Sequence, residues 1–365
     1  MDFNQNLKIR GKRMKRNVKK IVMAGFILLL AGGLMTAKAK DKKNKNAGPT
    51  DSFNGHVAKE VNVGYVDVTG SGILTDVNGI ARDHGFFKEE FEKIGVKLNL
   101  IPMTGAGPAI NEALAGGSLD IGVLGDVPAV LGKANGVDTV LISTSGLTGG
   151  ASLIAGKGTP YKSLKDLKGK TIATQRGAFM HRTLATLLAD EGLTFDDIKF
   201  VNVNAQTAAE MLVTGNVDAI VVGGVTLTRL YEQGYNIVID YRQNRGGITG
   251  GGTIARRKFV EQNPDIIKAY LTAVARGKKY AIENPNELKR LWQSVGESGE
   301  SYEYLYPKHN NYPDIVAKPE SLQNLKDTLK FLLDYELITK DRNFSVDDWY
   351  DGRFAEYAVA EAAKK

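Results

Sequence analysis

The chain contains no cysteine among its 365 residues. This absence excludes disulfide bonds, cysteine-ligated metal sites, a cysteine nucleophile and attachment of a lipid to a cysteine. Histidine is scarce, and His56, His84, His181 and His309 lack the spacing of paired metal ligands. Neither a Gly-x-Ser-x-Gly nucleophile turn nor a Walker phosphate loop is present. We therefore expect no metal ion and no bound cofactor.

An excess of basic charge is confined to the N-terminus. The formal net charge is +7, but the first 39 residues hold nine of the 48 basic residues and one of the 41 acidic residues. The rest of the chain is close to neutral, which gives no electrostatic reason to bind nucleic acid. We expect a monomer without a nucleic-acid partner.

Residues 1–39 have the organisation of a secretory signal peptide. A basic segment precedes the apolar run at residues 21–31, which is too short for a comfortable membrane span. A small-x-small sequence then ends at Ala39, where we expect cleavage; the alternative is an uncleaved anchor. The absence of an Arg-Arg pair from these 39 residues favours the Sec route. The long basic segment leaves the start of translation open between Met1 and Met14.

The remaining chain has an α/β pattern that occurs twice. The polar, lysine-rich residues 40–59 predict a disordered linker. Beyond it, strands and helices alternate, and the series restarts near Thr171, which predicts two doubly wound, mostly parallel sheets. The glycine-rich residues 246–252 predict a hinge where the chain returns. We assign the predicted lobes as follows: residues 60–153 and 248–365 form lobe I, and residues 154–247 form lobe II.

Turns rich in glycine, serine and threonine follow many of the predicted strands. Within residues 104–129, Pro108 and Pro128 each stand near the start of a helix, where a proline loses no hydrogen bond. Ligands of open α/β sheets bind outside the carboxyl ends of the strands, and the N–H groups of a helix start favour an anion. The alternative is that the glycines merely permit tight turns; their recurrence favours a ligand site.

A series of motifs in this order resembles the type II periplasmic binding proteins, and within them the aliphatic sulfonate, nitrate and taurine branch of ABC-transporter solute receptors. The resemblance covers the chain from about Val61 to the 330s. It implies two lobes around a cleft, a hinge crossed twice, a small anionic solute, an inner-membrane ABC permease as partner and a periplasmic location. The motifs lie at residues 113–120, 125–129, 163–177, 214–219 and 263–271.

The resemblance also implies which turns contact the ligand. Asp126 then either caps its turn or faces a ligand amine, and Arg176 either meets an anion or is solvated. His181, near one of these turns, is expected at the surface or as a helix cap rather than in catalysis. The implied contacts are Gly70, Ser71, Gly72, Thr104, Gly105, Ala106, Gly107, Asp126, Val127, Ser145, Gln175, Arg176, Gly177, Ala178, Gly223, Gly224 and Thr226.

The chain departs from the resembling branch at one turn. Many members carry an aromatic–acid–proline sequence where this chain has Gly223, Gly224 and Val225, and the difference removes a bulky wall from the cleft. The leading hypothesis is a receptor for an aliphatic sulfonate, taurine or a similar anion. Alternatives are a receptor for nitrate, bicarbonate or a thiamine-precursor pyrimidine.

An enzyme on the same lobes is a further alternative. Porphobilinogen deaminase has lobes of this type but needs a cysteine for its cofactor. The related pyrimidine-synthesising proteins of thiamine metabolism use a cysteine-rich stretch and act in the cytosol. Because this chain has no cysteine, we expect a binding protein and not an enzyme.

Overall fold

The computed structural model describes residues 53–67, 70–147, 149–243, 248–307 and 312–365. The predicted signal peptide, most of the predicted linker and the first two residues of the glycine-rich hinge segment lie outside these ranges. In the described part of the chain the strands form two separate sheets with helices packed against them, as the α/β pattern predicts.

The first sheet has five strands. β1, β2 and β3 pair in parallel, whereas the last strand, β11, runs antiparallel between β3 and β4. The central strand β3 and the edge strand β4 are short apolar runs, as expected for a sheet covered by helices. The strands are β1 (Glu60–Val66), β2 (Lys97–Met103), β3 (Ile121–Gly125), β4 (Thr139–Thr144) and β11 (Gly251–Arg256), in the spatial order β2-β1-β3-β11-β4.

The second sheet has six strands. β6 pairs in parallel with β7 and β8, and β5 is antiparallel to β8, β9 and β10. The order is β10-β5-β8-β6-β7, and β9 also pairs with β5. The strands are β5 (Gly149–Ala155), β6 (Thr171–Thr174), β7 (Lys199–Asn202), β8 (Ala219–Gly223), β9 (Asn236–Ile239) and β10 (Ile248–Thr249).

The chain passes between the sheets twice, and both crossings differ from the prediction. The return to the first lobe was expected at residue 248, but Ile248 and Thr249 still pair with β5 of the second sheet. β5 belongs to the second sheet from Gly149 onward, so the first crossing lies between Thr144 and Gly149 and not at 153/154. The sequence pattern missed this start because Gly149 and Gly150 join the sheet through backbone pairing with β10 and bring no apolar side chain. The return crossing lies between Thr249 and Gly251.

Helices cover both sheets. The first sheet and its helices form the first lobe, and the second sheet and its helices form the second lobe. In the first lobe the strands alternate with helices α1 to α4, and in the second lobe they alternate with α5 to α7. Their bounds are α1 (Val77–Asp83), α2 (Phe86–Ile94), α3 (Ala106–Gly116), α4 (Asp126–Ala134), α5 (Phe179–Asp190), α6 (Ala205–Val213) and α7 (Gly224–Glu232).

The helices after β11 contact both lobes. α9 packs on α14, α1 and α2, and α12 packs on α4, all in the first lobe, whereas α11 packs on α7 of the second lobe. No described helix is long and apolar enough to span a bilayer. The bounds of these helices are α8 (Arg257–Gln262), α9 (Pro264–Glu283), α10 (Asn286–Ser294), α11 (Gly299–Leu305), α12 (Pro319–Asp334), α13 (Val346–Trp349) and α14 (Arg353–Ala363).

Residues 53–59, the end of the predicted linker, make defined contacts with the first lobe. The backbone N–H of Val57 donates to Asn263 Oδ1 at 2.9 Å, and the ring centroids of Phe53 and Phe354 lie 5.1 Å apart. These residues are part of the fold, which corrects the predicted end of the linker. The hydropathy pattern did not reveal them because most of their contacts are made by backbone groups.

Candidate functional site

The turn after β1 is held together by a buried carboxylate. Asp67 is 5% exposed and accepts the backbone N–H groups of Gly70 at 2.9 Å and Gly72 at 2.8 Å. Both glycines have positive φ angles of 69° and 70°, a conformation that glycine adopts without strain. Ser71 between them is exposed. Asp67 thus fixes the positions of Gly70 and Gly72 beyond the carboxyl end of β1.

The turn after β2 leads directly into α3. Thr104 and Gly105 are exposed, and Ala106 has a φ of 54°, which costs a residue with a side chain roughly 1–2 kcal/mol. Gly107 is buried, and a Cβ at this position would lie 2.3 Å from Cβ of Pro128. Glycine is therefore required where the starts of α3 and α4 touch.

The turn after β3 gives Asp126 a backbone-capping contact, one of its two predicted roles, and also a charged partner that the sequence did not indicate. Its side chain is fully buried, and its carboxylate accepts a salt bridge from Arg182 Nη2 at 2.9 Å. Asn324 Nδ2 donates to the same oxygen at 2.9 Å, and the other oxygen accepts the N–H of the adjacent Val127. The carboxylate of Asp126 is thus occupied by protein partners, and its assignment as a ligand contact stays a prediction. Val127 is also fully buried, and its predicted contact with a ligand stays a prediction.

The turn after β4 lies beside the return crossing. The N–H of Ser145 donates to the carbonyl of Gly251 at 2.9 Å, and Ser145 is partly exposed. A Cβ on Gly251 would lie 2.5 Å from the carbonyl oxygen of Leu124 and 3.2 Å from Ser145 Oγ. The two crossings therefore sit against the carboxyl ends of β3 and β4.

The backbone N–H groups of the turn after β6 are hydrogen-bonded within the protein. The N–H of Arg176 donates to Asn202 Oδ1 at 2.8 Å, and that of Gly177 to His181 Nδ1 at 3.2 Å. The N–H of Ala178 donates to the carbonyl of Gln175 at 3.3 Å. These amides are already satisfied, whereas the side chains of Gln175 and Arg176 are exposed.

His181 is a buried cap of this turn, so the capping role was predicted correctly and the surface location was wrong. It is 2% exposed and lies among four aromatic rings. Burial and then the positive charge of Arg176 lower the pKa of His181 to about 4, so the ring is neutral at pH 7. The rings belong to Phe195, Phe200, Phe331 and Tyr335.

The turn after β8 begins α7. Gly223 lies against β5, since a Cβ there would stand 2.3 Å from the carbonyl oxygen of Gly150. Gly224 is exposed with a φ of 56°, and Thr226 is partly exposed. This turn therefore adds a hydroxyl group and a glycine backbone at the carboxyl edge of the second sheet.

The six predicted turns thus follow the carboxyl ends of β1, β2, β3, β4, β6 and β8. Two of them contact strands next to the crossings: Ser145 donates to Gly251 of β11, and Gly223 pairs with Ala151 of β5. No group of histidine and carboxylate side chains suited to a metal ion occurs among the described residues.

Sequence reasoning missed Arg182, the cation that pairs with Asp126. The signal was available: α5 has Met180, His181, Leu184 and Ala185 around it, all buried, so a charged residue at this point needs a partner. The sequence could not identify Asp126 as this partner, because Asp126 belongs to the other lobe.

The comparison with known families assigns the chain. A model described as NMT1/THI5 like matches residues 79–288, more than half of the chain, and the chain belongs to this family. The matched range runs from α1 through both crossings to α10, and so includes all of the second sheet.

Individual relatives match this chain over most of its length. A Bacillus subtilis protein named for binding aliphatic sulfonates is 25% identical over 344 residues, 93% of this chain and 96% of that protein. The crystal structure of the periplasmic sulfonate-binding protein SsuA from Methylobacillus flagellatus is 27% identical, with a TM-score of 0.74, and the match covers 85% of this chain and 96% of that one. The desulfurization enzyme DSZB shares the fold at 15% identity and a TM-score of 0.68, covering 82% of this chain and 99% of that one.

Proposed function

We propose that this chain is the solute receptor of an ABC importer in the periplasm. It captures a small organic anion, with a sulfonate head group as the first candidate, in the cleft between its lobes and delivers it to an inner-membrane permease. The proposal includes removal of the signal peptide after Ala39 and a monomeric mature protein.

The observation that carries the proposal is the placement of the six turns. All follow the carboxyl ends of strands, on both sides of the two crossings, which is where ligands of open α/β sheets bind. Two sheets that present such edges beside one hinge can enclose a ligand and exclude water from it.

The chemistry of these edges favours an anion. Hydroxyl and amide side chains dominate, from Ser145, Gln175 and Thr226, and Arg176 adds an exposed cation. Asp126, a carboxylate at the same edge, is neutralised by Arg182. A sulfonate accepts several hydrogen bonds at once and therefore suits an edge rich in donors.

The names of relatives support the same ligand class. The Bacillus subtilis relative is named for aliphatic sulfonates, and an Escherichia coli relative, 25% identical over 183 residues, is the taurine-binding periplasmic protein. The proposal is a receptor rather than an enzyme, although DSZB has the same fold. Recovery of a bound solute in unchanged form supports the receptor; formation of a product supports the enzyme.

A thermal-shift screen of residues 40–365 tests the ligand class. Alkanesulfonates, taurine, sulfate esters and nitrate are compared with sugars and organic cations. Saturation at 100 times Kd stabilises the folded chain by about 2.7 kcal/mol, which raises the unfolding midpoint. Stabilisation by sugars or cations alone contradicts the proposal.

A further inference from the structure

We propose that Asp126 and Arg182 form a pivot pair that sets the angle between the lobes, and that both are positioning residues for ligand binding. Neither side chain needs to touch the ligand for this role. The inference goes beyond the proposed function, and one arm of its test is independent of that function.

The pair joins the two lobes through buried charges. Asp126 begins α4 of the first lobe and is 0% exposed, whereas Arg182 lies on α5 of the second lobe and is 9% exposed. Asp126 Oδ2 and Arg182 Nη2 are 2.9 Å apart. Exposed pairs contribute little to stability, but removal of one partner from a buried pair is strongly destabilising because the other charge is left unpaired.

Both charges are also tied to the hinge. The backbone N–H of Asp126 donates to the carbonyl of Gly250, and Arg182 Nη2 donates to the carbonyl of Ile248 at 3.2 Å. Asn324 of α12 bridges the pair, since its Nδ2 donates to Asp126 and its Oδ1 accepts from Arg182 at 2.8 Å. The ion pair thus sits at the return crossing, where a rotation of the lobes displaces atoms least.

The contact region around the pair, called the seam here, contains buried polar atoms that make no hydrogen bond among the described residues. Arg182 Nε, Thr249 Oγ1 and Ser321 Oγ are buried and have no hydrogen-bond partner among the described residues. Unpaired buried donors favour an alternative arrangement that satisfies them. The seam is therefore suited to two lobe angles that keep the ion pair and exchange the weaker contacts.

The pair connects directly to the predicted ligand turns. Asp126 follows Gly125 at the end of β3, and Arg182 lies one helical turn after Ala178, where the turn of β6 ends. A change in the position of either charge therefore shifts a ligand turn. Because a ligand gripped by both lobes binds the closed angle preferentially, the pair sets affinity through the closing equilibrium.

The test uses three variants: Asp126→Asn, Arg182→Gln and the double variant, which leaves no unpaired charge. Because the chain has no cysteine, labels attach specifically to Glu112→Cys on α3 and Val213→Cys on α6, both exposed positions in different lobes. The label-to-label distance distribution is measured without ligand, together with the unfolding midpoint and the Kd for propane-1-sulfonate. Lys165→Gln, which removes an exposed salt bridge to Glu191 within the second lobe, is the matched control.

We expect the variants that fold to have a broader distance distribution than the parent chain and a Kd at least about fivefold higher, the lower end of usual coupling between sites. The control leaves both quantities unchanged. If a single variant does not fold, the double variant decides by the same readouts. An unchanged distribution in the folded variants overturns the proposal, even if their unfolding midpoints fall. If the parent chain binds no sulfonate, the proposed function fails, and the ligand-free distances still test the pivot pair.

Discussion

Two side chains in the turn after β6, Gln175 and Arg176, remain exposed although the backbone of this turn is satisfied internally. The amides of Arg176 and Gly177 donate to Asn202 and His181, so they hold the turn and do not offer free donors. Recognition at this turn therefore depends on side chains. The sequence alone suggested the backbone as well, because it did not show that Asn202 and His181 lie within reach.

Gln175→Ala tests whether the side chains of this turn, and not its backbone N–H groups, bind the ligand. The substitution removes an exposed amide and no packing, so we expect ligand affinity to fall by roughly 1–2 kcal/mol while the unfolding midpoint stays unchanged. Calorimetric titration and thermal unfolding on the same preparation measure the two quantities. Gln206→Ala, an exposed glutamine on α6, is the control. Unchanged affinity in folded Gln175→Ala removes this side chain from the site.

The titration of His181 gives a second prediction. Its pKa is about 4 in the folded chain and about 6.5 in the unfolded chain, so between these values the unfolded state binds more protons. The free energy of unfolding therefore falls as the pH decreases from 6.5 to 4, by about 3 kcal/mol from this residue. Above pH 6.5 the residue contributes no pH dependence.

Urea unfolding at several pH values, compared between the parent chain and His181→Phe, isolates this contribution. The phenylalanine loses the acceptor for the Gly177 N–H, which lowers stability by a constant amount, but it does not titrate. We expect the pH slope between 6.5 and 4 to be smaller in the variant. Equal slopes in the two proteins rule out a buried neutral His181.

At the scale of elements, the starts of α3 and α4 meet at a glycine. Gly107→Ala places a Cβ 2.3 Å from Cβ of Pro128, and we expect a loss of about 1–3 kcal/mol of unfolding free energy because the helix starts must separate. Chemical denaturation measures the loss. In Gly116→Ala, at the other end of α3, the added Cβ has no atom within 4 Å, so we expect no loss. Equal stability of both variants contradicts the close packing described here.

Many elements could be predicted from the sequence, because strands such as β3, β4 and β8 are short apolar runs that end at a glycine- or serine-rich turn. The second series was predicted to restart near Thr171, and β6 begins at that residue in the structure. The start of β5 could not be predicted, since Gly149 and Gly150 pair through their backbones alone. The role of Asp126 was equally hidden: a carboxylate in a βα turn reads as a cap or a ligand contact until the other lobe supplies Arg182.

At the scale of the whole molecule, the described fold begins by Phe53 and not at Val61. The contacts of residues 53–59 with Asn263, with Asp265 of α9 and with Phe354 of α14 mean that the mature chain needs this segment for full stability. We expect N-terminal sequencing of the exported protein to start at Lys40, after cleavage at Ala39. A full-length, membrane-retained product contradicts this expectation.

The central claim is that a sulfonate binds between the lobes and favours their closed arrangement. The most direct test follows the distance between labels at Glu112→Cys and Val213→Cys while propane-1-sulfonate is added to residues 40–365. We predict a saturable shortening of the distance, with a midpoint equal to that of the thermal stabilisation by the same ligand. A distance that stays constant at concentrations that fully stabilise the protein contradicts the claim, because the ligand then binds outside the cleft.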